Sequence, residues 1–215
     1  HSAIWVTSRS ACATAQPSLW KINPSTGAVL ATADLGDIDA SPTLTAASDV
    51  LFAANNGDAI VGGKCTAGNS TIYAINPTTG ATLATFVSTD GPVVSYPVVL
   101  GTAPPYLVVY SGATGVHLLS IDTSRAIPAF VSVWTTAITA PSAPISITGM
   151  SYIFVGSSDG KIHELALATG TDVKDEVTND GPTIGTVGDP SIDEALSRIY
   201  VTTTDQRAYA FTIPF

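Results

Sequence analysis

The chain has 215 residues, a formal net charge of −9 and only 12% charged residues. This length suits one all-β domain with a sizeable core. The balance is acidic and the 8 Lys and Arg residues are scattered singly, so we expect no electrostatic binding to nucleic acid or anionic lipid. No apolar run reaches the roughly 18 residues that a membrane-spanning helix needs, so we expect no membrane span.

A strand followed by a turn recurs along the whole chain. The clearest copy is TIYAINPTTG, residues 71–80, where period-2 alternation predicts a strand and Asn-Pro with a closing Gly80 predicts a turn. The other four copies begin at Ser18, Gly115, Lys161 and Arg207. A repeat of roughly 45 to 53 residues in a strand-rich chain predicts an all-β fold of the β-propeller type.

The first two repeats cover residues 1–36 and 37–91, with strands lettered A (innermost) to D. The first repeat predicts strand B at 3–8, strand C at 19–23 and strand D at 28–35. The second repeat predicts all four strands, at 41–45, 49–54, 71–76 and 81–87. Between its strands B and C lies a long glycine-containing segment, residues 55–70, which we predict to be a rim loop that can carry function.

The other three repeats cover residues 92–138, 139–182 and 183–215. The third predicts strands at 95–100, 106–110, 116–121 and 130–136, and the fourth at 142–147, 152–156, 161–166 and 172–177. The fifth predicts strands at 188–192, 198–203 and 207–213. One proline opens each strand A, where no ladder donor is required; these are Pro42, Pro97, Pro144 and Pro190.

We therefore predict a single domain, residues 1–215, with about five four-stranded blades. The first blade lacks strand A and the last lacks strand D, and a segment of about 20 residues would supply both. Three explanations stay open: strands donated by another polypeptide, an open ring with short edges, or the C-terminal part of a larger propeller. Because His1 lies two residues before a predicted strand, we expect it to be a processed or truncated end.

The two cysteines, Cys12 and Cys65, each lie six residues before their copy of the repeated strand. They therefore occupy equivalent loops in consecutive repeats, side by side on one rim. We predict a disulfide between them, which implies an oxidising compartment. The alternative is two unpaired thiols; metal binding by this pair alone is not expected.

No catalytic residue and no metal site is predicted. His117 and His163 occupy the same position in strand C, which is aromatic in the other three copies, so packing in the repeat explains both. An acidic cluster in the fourth repeat is expected to be a solvated outer edge, with a weak cation site as the alternative. Its members are Asp172, Asp175, Glu176 and Asp180. Asn69 begins an Asn-Ser-Thr sequon and would accept a glycan in a glycosylating host.

The repeat resembles that of the PQQ-like, or quinoprotein-alcohol-dehydrogenase-like, β-propellers. The resemblance rests on LFAANNG (51–57) with IYAINPTTG (72–80), and on FVGSSDG (154–160) with 162–170, and it extends over essentially the whole chain. It implies the propeller fold but not an activity, since the family includes dehydrogenases, assembly scaffolds and modules without chemistry. This chain lacks the dehydrogenases' adjacent cysteines and a Cys-x-x-Cys-His haem motif, so we expect no redox role and no cofactor.

We predict a non-enzymatic, extracytoplasmic module (extracellular, cell-surface or periplasmic) that works in structure and protein interaction. We expect it to be a subunit of a surface or filament-like assembly, homo- or hetero-oligomeric, completed by strands from another segment or chain. The predicted contact loops are 9–17 and 55–70, with contact residues Arg9, Gln16, Asn55, Asp58, Lys64 and Asn69. The alternative is a fragment of a PQQ-dependent quinoprotein dehydrogenase. A carbohydrate-binding propeller would need exposed aromatics or carboxylates clustered on one rim.

Overall fold

The computed structural model describes residues 3–9, 16–57, 59–61, 64–66, 68–93, 95–147, 149, 151–178 and 185–215. Every named element in these ranges is a β-strand, and the strands form five successive antiparallel sheets and a separate hairpin. The all-β prediction is therefore confirmed. The chain divides into two compact units, residues 1–108 with 120–131 and residues 109–119 with 132–215.

The first sheet has three strands in the order β1-β2-β3: β1 (Ile4–Thr7), β2 (Leu19–Ile22) and β3 (Val29–Ala33). These are the predicted strands B, C and D. In the β1–β2 register, Ile4 lies opposite Ile22 and Val6 lies opposite Trp20. As predicted, the described residues contribute no strand A to this sheet.

The second sheet has the order β4-β5-β8-β9: β4 (Thr43–Leu44), β5 (Leu51–Ala54), β8 (Thr71–Ile75) and β9 (Thr82–Val87). The predicted rim loop between β5 and β8 contains a hairpin that the sequence analysis missed, formed by β6 (Ala59–Val61) and β7 (Lys64–Thr66). Its strands are rich in β-branched residues and are separated in sequence by Gly62 and Gly63. Such a dipeptide is typical of two-residue hairpin loops.

The third sheet contains all four predicted strands in sequential order. They are β10 (Val98–Leu100), β11 (Tyr106–Ser111), β12 (Gly115–Ile121) and β13 (Phe130–Ala137). Strands β11 and β12 are almost entirely buried, whereas most residues of β13 are exposed, as expected for inner and outer strands of one sheet.

The fourth sheet has the order β14-β15-β16: β14 (Tyr152–Gly156), β15 (Lys161–Ala166) and β16 (Asp172–Val177). The prediction of a full strand A at 142–147 is wrong, because only a single bridge forms there, between Ile145 and Phe154. Pro141 and Pro144 lack the N–H donors that a longer ladder would need.

The fifth sheet has the order β17-β18-β19: β17 (Ser191–Asp193), β18 (Arg198–Thr202) and β19 (Ala208–Thr212). As predicted, the described residues supply no strand D beyond β19. The proline marker is also confirmed: Pro42, Pro97 and Pro190 directly precede β4, β10 and β17, and Pro144 precedes the bridge residue Ile145.

The repeated turn has the same geometry in the first two sheets. The side-chain oxygen of Asn23 accepts hydrogen bonds from the backbone N–H groups of Ser25 and Thr26, and Asn76 binds Thr78 and Thr79 in the same way. An Asn at this position favours a turn because its amide replaces a backbone acceptor. Each turn closes on a glycine with positive φ, +70° at Gly27 and +76° at Gly80.

The pairing of strands C and D shifts register just before this turn. The shift falls at Lys21/Ile22 in the first sheet, at Ala74/Ile75 in the second and at Glu164/Leu165 in the fourth. An extra residue on one strand increases the local twist. These three copies of the repeat therefore share an irregularity that increases the twist next to the turn.

Each unit has a core cluster formed where two successive sheets pack face to face. In the first unit, Leu19 of the first sheet packs with Leu51 and Ala53 of the second. In the second unit, Phe154 and Ile162 of the fourth sheet pack in one cluster with residues of the fifth. Sheet-on-sheet packing of alternating apolar faces is the arrangement that the period-2 pattern predicts.

Candidate functional site

The two predicted contact loops meet at Asp39 in the first unit. Arg9, whose side chain is 76% exposed, forms an ion pair with the Asp39 carboxylate. The side-chain amide of Asn56 donates to the same carboxylate at 2.8 Å. The backbone N–H of Asn56 also donates to the Asp37 carbonyl oxygen at 2.8 Å. The structure thus brings Arg9 and the start of the 55–70 loop together at one exposed acidic residue.

Asn55 fixes the base of the 55–70 loop. Its side-chain nitrogen donates to the Leu35 carbonyl at 2.7 Å, and its side-chain oxygen accepts from the backbone N–H groups of Thr71 and Gly57, at 2.7 and 3.1 Å. These bonds use both ends of the amide. Asn55 was predicted as a contact residue, and the structure gives it a positioning role within the loop.

Of the remaining predicted contact residues, Lys64 begins β7 and Asn69 lies exposed after the hairpin. Gln16 lies exposed before β2. The backbone of Asn69 approaches Gly57 so closely that a Cβ there would lie 2.0 Å from the Asn69 oxygen, which closes the base of the hairpin. Asp58 lies outside the described residues, as does Cys12. Cys65 lies in β7, but nothing is described of its side chain, so the disulfide stays a prediction.

The two histidines of the aromatic column both lie in the second unit and both have partners there. The His117 ring stacks on Tyr110, with centroids 4.7 Å apart and an interplanar angle of 7°, and its Nδ1 lies 3.0 Å from the Thr135 hydroxyl. His163 is buried, with Nδ1 2.8 Å from the Asp172 carboxylate. Its Nε2 lies 3.4 Å from Asp159, without the geometry of a hydrogen bond.

The acidic cluster of the fourth repeat is largely paired with side chains of its own sheet. Asp172 binds His163, Asp175 forms an ion pair with Lys161, and Glu176 lies 3.3 Å from Lys174. The hydrogen bond from Lys161 lowers the pKa of Asp175 against the opposing effect of burial. Asp180 lies outside the described residues, and no group of three or more His, Cys, Asp or Glu side chains in the described part could hold a metal ion.

The outer edge of β19 carries backbone groups for which the described part of the chain supplies no neighbouring strand. The backbone N–H of Ile213 donates to the Ser197 carbonyl and that of Thr203 donates to the Arg207 carbonyl. Because hydrogen-bonded pairs alternate along an antiparallel ladder, the odd-numbered residues of β19 face β18. The N–H and C=O groups of Ala208, Ala210 and Thr212 therefore point outward, where the described residues place no further strand.

The described part of the chain contains no helix that could span a membrane. No family model matches the sequence, and no curated protein matches it. The PQQ-like resemblance therefore stays a prediction.

Several solved structures are similar to this chain. BamB from Moraxella catarrhalis is 14% identical, with a TM-score of 0.68 over 99% of this chain and 63% of that one. The β-propeller domain of Cps50 (Swd1) from Myceliophteria thermophila is 11% identical, with a TM-score of 0.67 over 100% of this chain and 66% of that one. The Dos1 propeller is 12% identical, with a TM-score of 0.65 over 91% of this chain and 47% of that one.

The chain thus spans less than two thirds of the length of the first two structures that it matches. At 11 to 14% identity the likeness concerns the fold and not the activity. The sheet order, the repeated turn and these similarities agree with the propeller prediction. The fold of this chain is that of a β-propeller.

Proposed function

We propose that this chain is a non-enzymatic protein-interaction module of an extracytoplasmic assembly. Its incomplete sheets take strands from another segment or another chain. The observation that carries the proposal is the outer edge of β19. There Ala208, Ala210 and Thr212 each direct one N–H and one C=O group away from β18. An extended peptide can add to such an edge through main-chain hydrogen bonds.

The composition of β19 supports the proposal. Its outward residues, Ala208, Ala210 and Thr212, are small and exposed, and none of the three is charged or Pro. Natural proteins commonly protect exposed edges with Lys, Pro or bulges, since an open edge invites pairing with other chains. An edge without such protection suits a strand that is meant to be paired.

The non-enzymatic and extracytoplasmic parts of the proposal rest on separate features. His117 and His163 are engaged with Tyr110 and Asp172 inside the repeat, which supports a packing role for both. An oxidising compartment is supported by the predicted Cys12–Cys65 disulfide. The contact loops 9–17 and 55–70, which meet at Asp39, are the proposed surface for a further protein partner.

Amide hydrogen exchange tests strand addition directly. In the isolated chain, the amides of Ala208, Ala210 and Thr212 should exchange rapidly, whereas in the assembly purified from its source they should be protected. The amide of Val177 in β16 is the matched control. It points outward because the neighbouring Thr178 N–H donates to the Gly160 carbonyl, and β16 is the outer strand of a sheet that already has its strand D. It should exchange rapidly in both samples.

Native and denaturing mass spectrometry of the same material then identifies the donor. We expect a second polypeptide that stays bound in native conditions and separates on denaturation, or a longer chain that includes the donor segment. Rapid exchange at β19 in the assembly contradicts strand addition. A bound quinone chromophore contradicts the non-enzymatic proposal and favours the dehydrogenase alternative.

A further inference from the structure

The packing of the fourth sheet on the fifth shows how two sheets of this protein fit together. Phe154 and Ile162, on one face of the fourth sheet, pack with Ile199 and Val201 of the fifth. All four side chains are at most 2% exposed. The backbones approach closely as well, since a Cβ on Gly156 would lie 2.6 Å from the Gly188 carbonyl oxygen.

The corresponding face of the fifth sheet is exposed. In the fourth sheet, Phe154 lies opposite Glu164 and Gly156 opposite Ile162; in the fifth, Tyr200 lies opposite Ala210 and Thr202 opposite Ala208. Tyr200 is therefore the counterpart of Phe154. Phe154 is 0% exposed, and so is Phe52, which holds this position in the second sheet. Tyr200 is 38% exposed.

A cavity of about 360 Å³ lies on this exposed face. Its walls include Tyr200, Thr202, Ala208 and Ala210. These four side chains are small or aromatic and carry no charge. The Asp189 carboxylate also borders the cavity, where it accepts a hydrogen bond from the Ala143 N–H at 2.8 Å. The face has room for apolar side chains of a second sheet. Ala208 stands where Ile162 stands in the fourth sheet, which leaves space that a partner must fill.

The first sheet exposes the surface that would fit. In the fifth sheet, Val201 lies opposite Tyr209 and Ile199 opposite Phe211, and this face covers the fourth sheet. In the first sheet, Val6 lies opposite Trp20 and Ile4 opposite Ile22, the same register relative to the aromatic column. Ile4 and Val6 are 51% and 41% exposed, whereas Ile199 and Val201 are 0% and 2% exposed.

We propose that the first sheet of one copy of this chain stacks on the fifth sheet of a second copy. The contact continues the sheet-on-sheet interface already formed between the fourth and fifth sheets. It uses two different surfaces, so it is heterologous, and repeated copies form a ring or an open filament. The inference deepens the proposed function by naming a second copy as the partner of these two faces.

The charge distribution favours this pairing. Each copy carries a net charge of −9, so random contacts between copies are repelled. The side chains of Ile4, Val6 and Trp20 on one face, and of Tyr200 and Ala208 on the other, are uncharged, so contact between these faces brings no like charges together. Contiguous apolar surface within an acidic protein is typical of an interaction site.

Two glutamate variants test the inference. By sedimentation velocity, the wild-type chain should form species larger than the monomer that grow with concentration. Val6→Glu alters only the first sheet and Tyr200→Glu only the fifth, and each should abolish all species above the monomer. Val133→Glu is the matched control: it places the same charge at an exposed valine of β13 and should assemble like the wild type.

Mixing the two variants tests the polarity of the contact. The intact first sheet of Tyr200→Glu should stack on the intact fifth sheet of Val6→Glu and give a 1:1 dimer that cannot grow. Ile4→Glu and Ala208→Glu provide a second pair if circular dichroism shows that either first variant is unfolded. A wild-type chain that is monomeric at all concentrations, or a mixture that forms no dimer, overturns the inference.

The self-association experiment can be distinguished from the test of strand addition at β19. Tyr200→Glu leaves the backbone edge of β19 intact. If assemblies from the source protect the β19 amides while the wild-type chain does not self-associate, the proposed function stands and the sheet-stacking inference fails. If the wild-type chain self-associates but the β19 amides are not protected in assemblies from the source, the sheet-stacking inference stands and strand addition fails.

Discussion

Two glycines at the same position of the repeated turn differ in what surrounds them. Gly27 and Gly170 have φ of +70° and +71°, so a side chain at either residue is strained. A Cβ on Gly27 would meet nothing within 4 Å, whereas one on Gly170 would lie 2.6 Å from the Trp134 ring and 2.7 Å from the Thr136 hydroxyl. The turn requires glycine at both sites, and packing adds a second requirement only at Gly170.

We therefore expect Gly170→Ala to lower the free energy of unfolding by about 3 kcal/mol and Gly27→Ala by only about 1 kcal/mol. The smaller value is the cost of the left-handed backbone, and the difference is the cost of displacing Trp134. Urea unfolding of the two variants measures both. Equal losses would show that the close approach at Gly170 has no energetic weight.

Asp49 and Tyr106 form a polar contact in the first unit whose strength depends on pH. The Tyr106 hydroxyl lies 2.8 Å from both oxygens of the Asp49 carboxylate, and the Thr45 hydroxyl also binds this carboxylate. Burial opposes ionisation of Asp49, but the hydrogen bonds from Thr45 and Tyr106 outweigh it and lower the pKa of the carboxyl. Burial and the same hydrogen bond raise the pKa of Tyr106.

Tyr106→Phe should reduce the free energy of unfolding by about 1 kcal/mol at pH 7, because Asp49 is exposed and screened on its other side. A carboxyl with a lowered pKa contributes stability above its unfolded value, near 4, and loses it as pH falls through the folded value. The difference between variant and wild type should therefore shrink below about pH 4. A difference that stays constant down to pH 2, measured by thermal unfolding, would contradict this explanation.

At the scale of elements, Asn55 determines how the β6–β7 hairpin leaves the second sheet. Asn55→Ala leaves the N–H of Thr71 and the carbonyl of Leu35 without these partners, and should cost about 2 kcal/mol. The exposed Asn69, at the other end of the same loop, is the control, and Asn69→Ala should change stability by less than about 0.5 kcal/mol. Denaturant titration of both variants is the measurement, and equal effects would remove the positioning role of Asn55.

The strands could be predicted from the sequence because each repeat contains local signals for its strands and turns. Alternation in 71–75, the Asn-Pro turn after it and the proline before strand A are all local signals, and the structure contains them where expected. The β6–β7 hairpin could not be predicted, because glycines in such a segment are equally typical of an irregular loop. The strand near Ile145 is shorter than predicted because Pro141 and Pro144 supply no N–H donors to a ladder.

The candidate faces could be located only in part from the sequence. Phe52, Phe154 and Tyr200 occupy one column of the repeat, so the aromatic preference of the position is visible in the chain. Whether an aromatic in this column is covered depends on a following sheet, which is a tertiary property. The exposed pair Ile4 and Val6 looks the same in sequence as the buried pair Ile199 and Val201 for the same reason.

At the scale of the whole molecule, the acidic charge makes a prediction about salt. Copies with a net charge of −9 repel one another, and this repulsion is screened as ionic strength rises. Self-association through the uncharged faces should therefore strengthen when salt is raised from roughly 20 mM to roughly 300 mM. Light scattering across a salt series measures this trend, and weaker association at high salt would indicate that ion pairs, rather than apolar faces, hold the copies together.

The register shift between strands C and D recurs just before the turn at Lys21/Ile22, Ala74/Ile75 and Glu164/Leu165. This shared position has a consequence for recombination between the repeats in the gene. A crossover between two repeats at this shared position joins the strand of one to the turn of another without changing which side chains face which sheet. Repeats can thus be gained or lost in evolution as whole units, and the number of sheets can change while every local contact is kept.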